Sequence, residues 1–188
     1  SGINIYLLLV TFIIGSSFLA YLIIYVPRFD YIQGRIFSFF NRETGTHNFQ
    51  SDKAIESITS GGFFGKGIGE GVLKNRVPEA HTDYIISVIS EEFGVVAIML
   101  ILLLFLILIY MVFKKISFET NDKVKLILIG SISLILMQAT IHVGVNIRLF
   151  PTTGMTLPFL SYGGSSIIST SILSGIILNL TKRKITLK

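Results

Sequence analysis

The chain has 188 residues, a formal net charge of +5, and 51% hydrophobic against 14% charged residues. Soluble domains carry about 25% charged residues, so this composition, with apolar runs of about 20 residues, excludes an ordinary soluble globule. The absence of cysteine excludes disulfides, thiolate nucleophiles and Cys-rich metal sites, and basic residues beside apolar helices point to a membrane face and anionic lipid rather than to nucleic acid.

Residues 3–26 form the first expected span. They carry no charge, hold Gly15, Ser16 and Ser17 in the middle, and stop at Pro27-Arg28. At ~1.5 Å per residue they cover about 36 Å, enough to cross a ~30 Å hydrocarbon core. Residues 27–82 form a long polar connection rich in Lys and Arg. Within it Tyr31, Ile32, Ile36, Phe39 and Phe40 share one helical face, which fits an interfacial helix or a surface helix packed on its own protein. Residues 50–59 are expected to form a short helix.

Glycines 65, 67, 69 and 71 then alternate. The spacing is neither a dinucleotide fingerprint nor a Walker loop. It fits a flexible turn, or a bare backbone surface from which N–H groups and Lys66 approach a phosphate.

A second span is expected over 84–113, a third over 126–147 and a fourth over 161–180, with loop 148–160 between the last two. Lys114, Lys115, Lys123 and Lys125 flank the short 114–125 connection, and Lys182, Arg183, Lys184 and Lys188 lie in the tail. The 148–166 segment holds only Arg148. This asymmetry predicts a cytoplasmic C-terminus and, with four spans, puts loops 27–82 and 148–160 together on the outer face. The chain opens on Ser1-Gly2 without Met or a signal peptide and reads as part of something longer. The isolated piece is expected to be inactive.

Glu79, His81 and Asp83 lie within five residues just before the second span. Charged groups at a membrane entry are costly and usually functional. Asp83 fits a general base at a membrane–water boundary, or a plain acid at a helix N-terminus. Glu91 and Glu92, further along, fit a buried ion pair with an absent helix or a water-filled cavity. Gln138, His142 and Asn146 repeat at i, i+4 and i+8, forming one polar stripe that serves as interhelical glue or as the wall of a substrate cavity. His142 has no partner at metal-ligand spacing. In Ser161–Ser166 (SYGGSS), Gly163 and Gly164 permit unusual backbone angles and the hydroxyls offer donors.

Three motifs taken together are specific: PEAHTD at 78–83, SEEFG at 90–94 and PTTGMTLPFLSYGGSS at 151–166. They resemble the C-terminal half of the SEDS family (FtsW, RodA and SpoVE). Ala80 and the run 154–158 are more similar to the FtsW branch. Thr153 stands where that branch usually has Lys, and His142 where many members have Asn.

The resemblance implies an all-α, polytopic membrane protein and a peptidoglycan glycosyltransferase that polymerises lipid II during cell division at the bacterial inner membrane. Asp83 is then the general base on the acceptor sugar hydroxyl. Glu79, His81, Lys66, Arg76, Ser161, Gly163 and Gly164 are candidate substrate-binding residues, and Glu91, Gln138, His142 and Asn146 candidate polar cavity residues. Arg42, Lys74 and Arg148 join Lys66 and Arg76 as cations that could offset a diphosphate. A class B penicillin-binding transpeptidase and other divisome proteins are implied partners. A divalent cation, Mg or Mn, has a place in such chemistry, but the sequence shows no dedicated metal site. The alternatives are an elongation-type polymerase, a lipid II flippase and a non-catalytic scaffold. A flippase would keep its key groups near the midplane.

Overall fold

The computed structural model describes residues 4–40, 46–77 and 79–182. Arg42, the side chain of Lys74, and the tail residues Arg183, Lys184 and Lys188 lie outside the description. The described chain is helical, with no strand: α1 (Ile5–Tyr25), a 3₁₀ turn (Pro27–Phe29), α2 (Asp30–Phe40), α3 (Thr46–Gly61), α4 (Leu73–Arg76), α5 (Ile85–Phe118), α6 (Asp122–Asn146) and α7 (Gly164–Thr181). α1, α5, α6 and α7 are each long and apolar enough to cross a membrane. They overlap the four expected spans, and the fold is that of a multi-pass membrane protein.

Two compact units are present, residues 1–48 and 49–188. In the first, Asn4 caps α1 by accepting from the Tyr6 amide, and Pro27 starts the turn that ends α1. α1 buries no residue. α2 forms where the amphipathic pattern placed it, with Tyr31, Ile32, Ile36 and Phe40 all exposed.

In the second unit, α5, α6 and α7 pack around Val112, Leu128, Ile132, Ile135 and Ile177. Asn121 caps α6 through the Lys123 amide, so α6 begins four residues before the expected 126. α5 continues past Lys114 and Lys115 to Phe118, because nothing in that stretch opposes a helix. A smaller core outside the bundle joins Ala54 of α3, Leu73, Val77, Ala80 and Tyr84 to Val88 and Val145.

The largest departure from expectation lies inside α5. Gly94 has φ 78° and ψ −179° and splits it into arms of 85–93 and 95–118. A break of this kind frees carbonyls on one side and amides on the other, and all must find partners. The alternating-glycine segment supplies them. Lys66 and Gly67 amides donate to the Glu91 and Glu92 carbonyls at 2.8 and 3.1 Å, while the Val95 and Val96 amides donate to the Gly62 and Phe63 carbonyls at 2.9 and 3.3 Å. Only glycine fits the approach: a Cβ on Gly94 would overlap the Phe63 carbonyl, and one on Gly65 the Glu92 carbonyl. The segment is therefore a splint for the break, not a loose turn.

The lower arm, at ~1.5 Å per residue, is about 36 Å long, close to the length of α6. Beyond the break, the 85–93 arm is tied to the last residue of α6, where the Ser87 hydroxyl donates to Asn146.

Candidate active site at the Asp83 turn

Residues 79–84 form tight turns ahead of α5. Amides of Thr82 and Asp83 fold back onto the Glu79 carbonyl at 3.2 and 3.0 Å, and the Thr82 hydroxyl donates to the Glu79 carboxylate at 2.8 Å. Tyr84 is fully buried and serves as the N-cap residue of α5. Its hydroxyl meets Ser51 of α3 at 3.3 Å, which fastens the turn to the outer core. Asp83 therefore precedes the helix and is not its cap.

Three successive carbonyls of the turn are held from other elements. The His81 carbonyl accepts from the Tyr162 amide at 3.1 Å. The Thr82 carbonyl accepts from the Ser161 hydroxyl at 2.8 Å and from His142 Nε2 at 3.3 Å. The Asp83 carbonyl accepts from Asn146 Nδ2 at 2.9 Å. A carbonyl at His142 Nε2 requires the proton there, which leaves Nδ1 to face the Asn146 amide at 3.4 Å. Asn146 Oδ1 in turn accepts from the Ser87 amide and hydroxyl at 3.2 and 2.7 Å.

With its main chain fixed in this way, the half-buried Asp83 brings its carboxylate near Gly154. Its Oδ2 lies 3.9 Å from where a side chain on Gly154 would begin. Gly154 has φ 74°, a conformation that favours glycine, and the absent side chain leaves room over the acid. The loop is held by the third polar residue of the stripe: Gln138 Nε2 donates to the Thr156 carbonyl at 2.9 Å and to the Ser166 hydroxyl at 2.9 Å.

This arrangement revises several expectations. His142 and Asn146 are wholly buried and committed to hydrogen bonds, and Gln138 is committed likewise, so the stripe is a set of tethers and not a cavity wall. Ser161 is buried, donates to the Thr82 carbonyl and accepts from the Leu157 amide, each at 2.8 Å, so its single hydroxyl proton is committed within the chain. Gly163 is extended, with φ −175°, a conformation open to any residue. A Cβ there would lie 3.0 Å from the Thr156 methyl, whereas one on Gly164 meets nothing. The His81 side chain and Glu79 are exposed at the surface of the turn.

Glu91 belongs to a separate cluster. It is buried, pairs with Lys66 at 2.9 Å, and accepts from the Val72 and Leu73 amides at 3.1 and 3.0 Å. Its partners thus come from this chain and not from an absent helix, and the Lys66 ammonium is engaged with it. Arg76 lies with Lys53, Lys66, Glu56 and Glu91 around a polar pocket of about 130 Å³, and Arg148 pairs with Asp52. Among the described residues no three His, Asp or Glu side chains converge to hold a metal ion.

Beside the platform, an apolar cavity of about 460 Å³ between α5 and α6 runs from Ile109 up to Ile86 and Leu157. Ile86 follows Asp83 by three residues, and Leu157 is bonded to Ser161. Sequence reasoning missed Tyr84 and Ser87 as supports of the turn, because each is held by a residue distant in sequence, Ser51 and Asn146 respectively.

The family model FTSW_RODA_SPOVE, described as cell cycle protein, matches residues 1–185. Similar proteins include those named "Probable peptidoglycan glycosyltransferase FtsW" from Enterococcus hirae, 39% identical over 73% of this chain and 35% of that one, and from Caulobacter vibrioides, 38% identical over 83% and 40%. A third from Geobacter metallireducens is 36% identical over 88% and 45%. A solved chain from work on the structural coordination of polymerization and crosslinking by a peptidoglycan synthase complex superposes with a TM-score of 0.66 at 25% identity, covering 90% of this chain and 48% of that one. This chain therefore spans less than half the length of these relatives. With its motifs meeting in space and a family match from end to end, the chain belongs to the FtsW/RodA/SpoVE family of cell cycle proteins.

Proposed function

We propose that the protein containing this chain is a peptidoglycan glycosyltransferase that polymerises lipid II during cell division, with Asp83 as its general base. The observation that carries the reading is the locked turn. Hydrogen bonds from Tyr162, Ser161, His142 and Asn146 fix the main chain around Asp83, while its carboxylate faces the side-chain-free Gly154. Fixing an acid in this manner is the preparation that general-base catalysis needs. In the proposed step the carboxylate takes the proton of an acceptor sugar hydroxyl. The oxygen bonds to the donor's anomeric carbon, and the carbon–oxygen bond to the lipid diphosphate breaks, its electron pair leaving with the diphosphate.

The apolar cavity that reaches Ile86 and Leu157 supports a substrate whose tail lies in lipid and whose sugars lie at the turn. Arg76 is the exposed candidate for the diphosphate charge. The basic residues Lys114, Lys115, Lys123, Lys125 and Lys182 against Arg148 support a cytoplasmic C-terminus and an outward-facing Asp83, in the bacterial inner membrane. A class B transpeptidase is the proposed partner.

Replacing Asp83 by Asn in the full-length protein tests the reading directly. Glycan synthesis from purified lipid II, followed on gels, is expected to fall by about 100-fold or more, with unchanged membrane expression and thermal unfolding. Undiminished polymer would end the claim.

A further inference from the structure

A second groove lies between α5 and α7. Its volume is about 1050 Å³, and its walls include Leu104, Met111, Leu178 and Phe159, with Lys114 and Lys115 at one end. The two hydroxyls on its wall are turned back into their own helix: Ser174 donates to the Thr170 carbonyl at 2.6 Å and Thr181 to the Ile177 carbonyl at 2.7 Å. The wall is thus apolar in function as well as composition. From residue 104 to residue 118 the groove follows about 21 Å of α5, somewhat more than the ~15 Å depth of hydrocarbon in one leaflet. At its lower end Lys114 is exposed, while Lys115 is only partly neutralised by Glu119 at 3.2 Å.

An apolar channel of one leaflet's depth closed by a pair of ammonium groups is complementary to an amphiphile with acyl chains and an anionic head. We propose that this groove binds an anionic phospholipid of the leaflet on the side of the 119–121 connection, its acyl chain running toward Phe159 and its phosphate between Lys114 and Lys115. Basic pockets between transmembrane helices bind such head groups elsewhere by the same chemistry. The inference is independent of the role proposed for Asp83.

The test is native mass spectrometry of the purified full-length protein in detergent, titrated with phosphatidylglycerol or with phosphatidylcholine. The wild type is expected to retain phosphatidylglycerol preferentially. The double variant Lys114→Gln/Lys115→Gln should bind it about tenfold more weakly, while Lys123→Gln/Lys125→Gln, whose cations lie outside the groove, should change binding by no more than about twofold. Leu104→Trp, at a position 55% exposed, fills the groove without touching charge or core and should also weaken binding. Equal losses from both lysine pairs would reduce the effect to diffuse surface potential and overturn the site. So would equal retention of phosphatidylcholine, unchanged binding in Leu104→Trp, or a lipid-free dimer occupying the groove.

Discussion

Two carboxylates eight positions apart are used in opposite ways. At Glu91 the side chain is the structural element: it is 2% exposed and joined to Lys66 and to two main-chain amides. At Asp83 the main chain is the structural element: the bonds that fix the turn end on carbonyls, and the carboxylate is half-buried beside Gly154. The contrast teaches that neighbouring acids can enter a fold through different groups, one through its carboxylate and one through its carbonyl. Both residues raise the same suspicion in sequence, and only the fold shows which of their groups hold the chain together.

Exchanging the two acids for their amides is the sharpest way to break this contrast. Glu91→Gln removes the charge that Lys66 needs and weakens the acceptor for two amides, so it should cost about 3 kcal/mol of stability. Asp83→Asn should leave the unfolding temperature within about 1 °C of wild type, since the amide keeps the side chain's size and an acceptor oxygen and the main-chain bonds of the turn are untouched. Thermal unfolding in detergent reads both, and comparable destabilisation would dissolve the distinction.

Asn146→Ala probes the tethers. It deletes the acceptor for Ser87 and the donor to Asp83, and should cost about 2 kcal/mol while lowering polymerisation about tenfold by loosening the turn. As a positioning effect it should leave the pH profile of the residual activity unmoved; a shifted profile would make Asn146 part of the proton chemistry. Gly164→Ala is the smallest perturbation. A Cβ there meets nothing, so stability should stay within about 0.5 kcal/mol, and a large loss would restore a special role for the second glycine of the pair.

The spans were legible because length and apolarity decide them almost alone. α5 shows the limit: 93–113 carries no charge, and such a run looks continuous although Gly94 stops the helix inside it. The clue was present in the alternating glycines, but a splint and a phosphate cradle both ask for bare backbone, and periodicity cannot name the partner. The Gln138, His142 and Asn146 stripe was visible at i+4 spacing. What it binds was not, since its partners lie 18 to 63 positions away in sequence. Ser161 was ambiguous for a related reason: a hydroxyl in a glycine-rich loop advertises a donor, and only the fold reveals that the Thr82 carbonyl takes its proton while the Leu157 amide donates to its oxygen.

The interruption at Gly94 has an outcome for the oily environment itself. Ordinarily a helix that stops near hydrocarbon strands bare peptide dipoles there, a penalty of several kcal/mol for each. Here four of those dipoles are matched by the 62–67 strip of the same chain. The seam is thereby made tolerable to lipid, because the interruption strands none of these four groups.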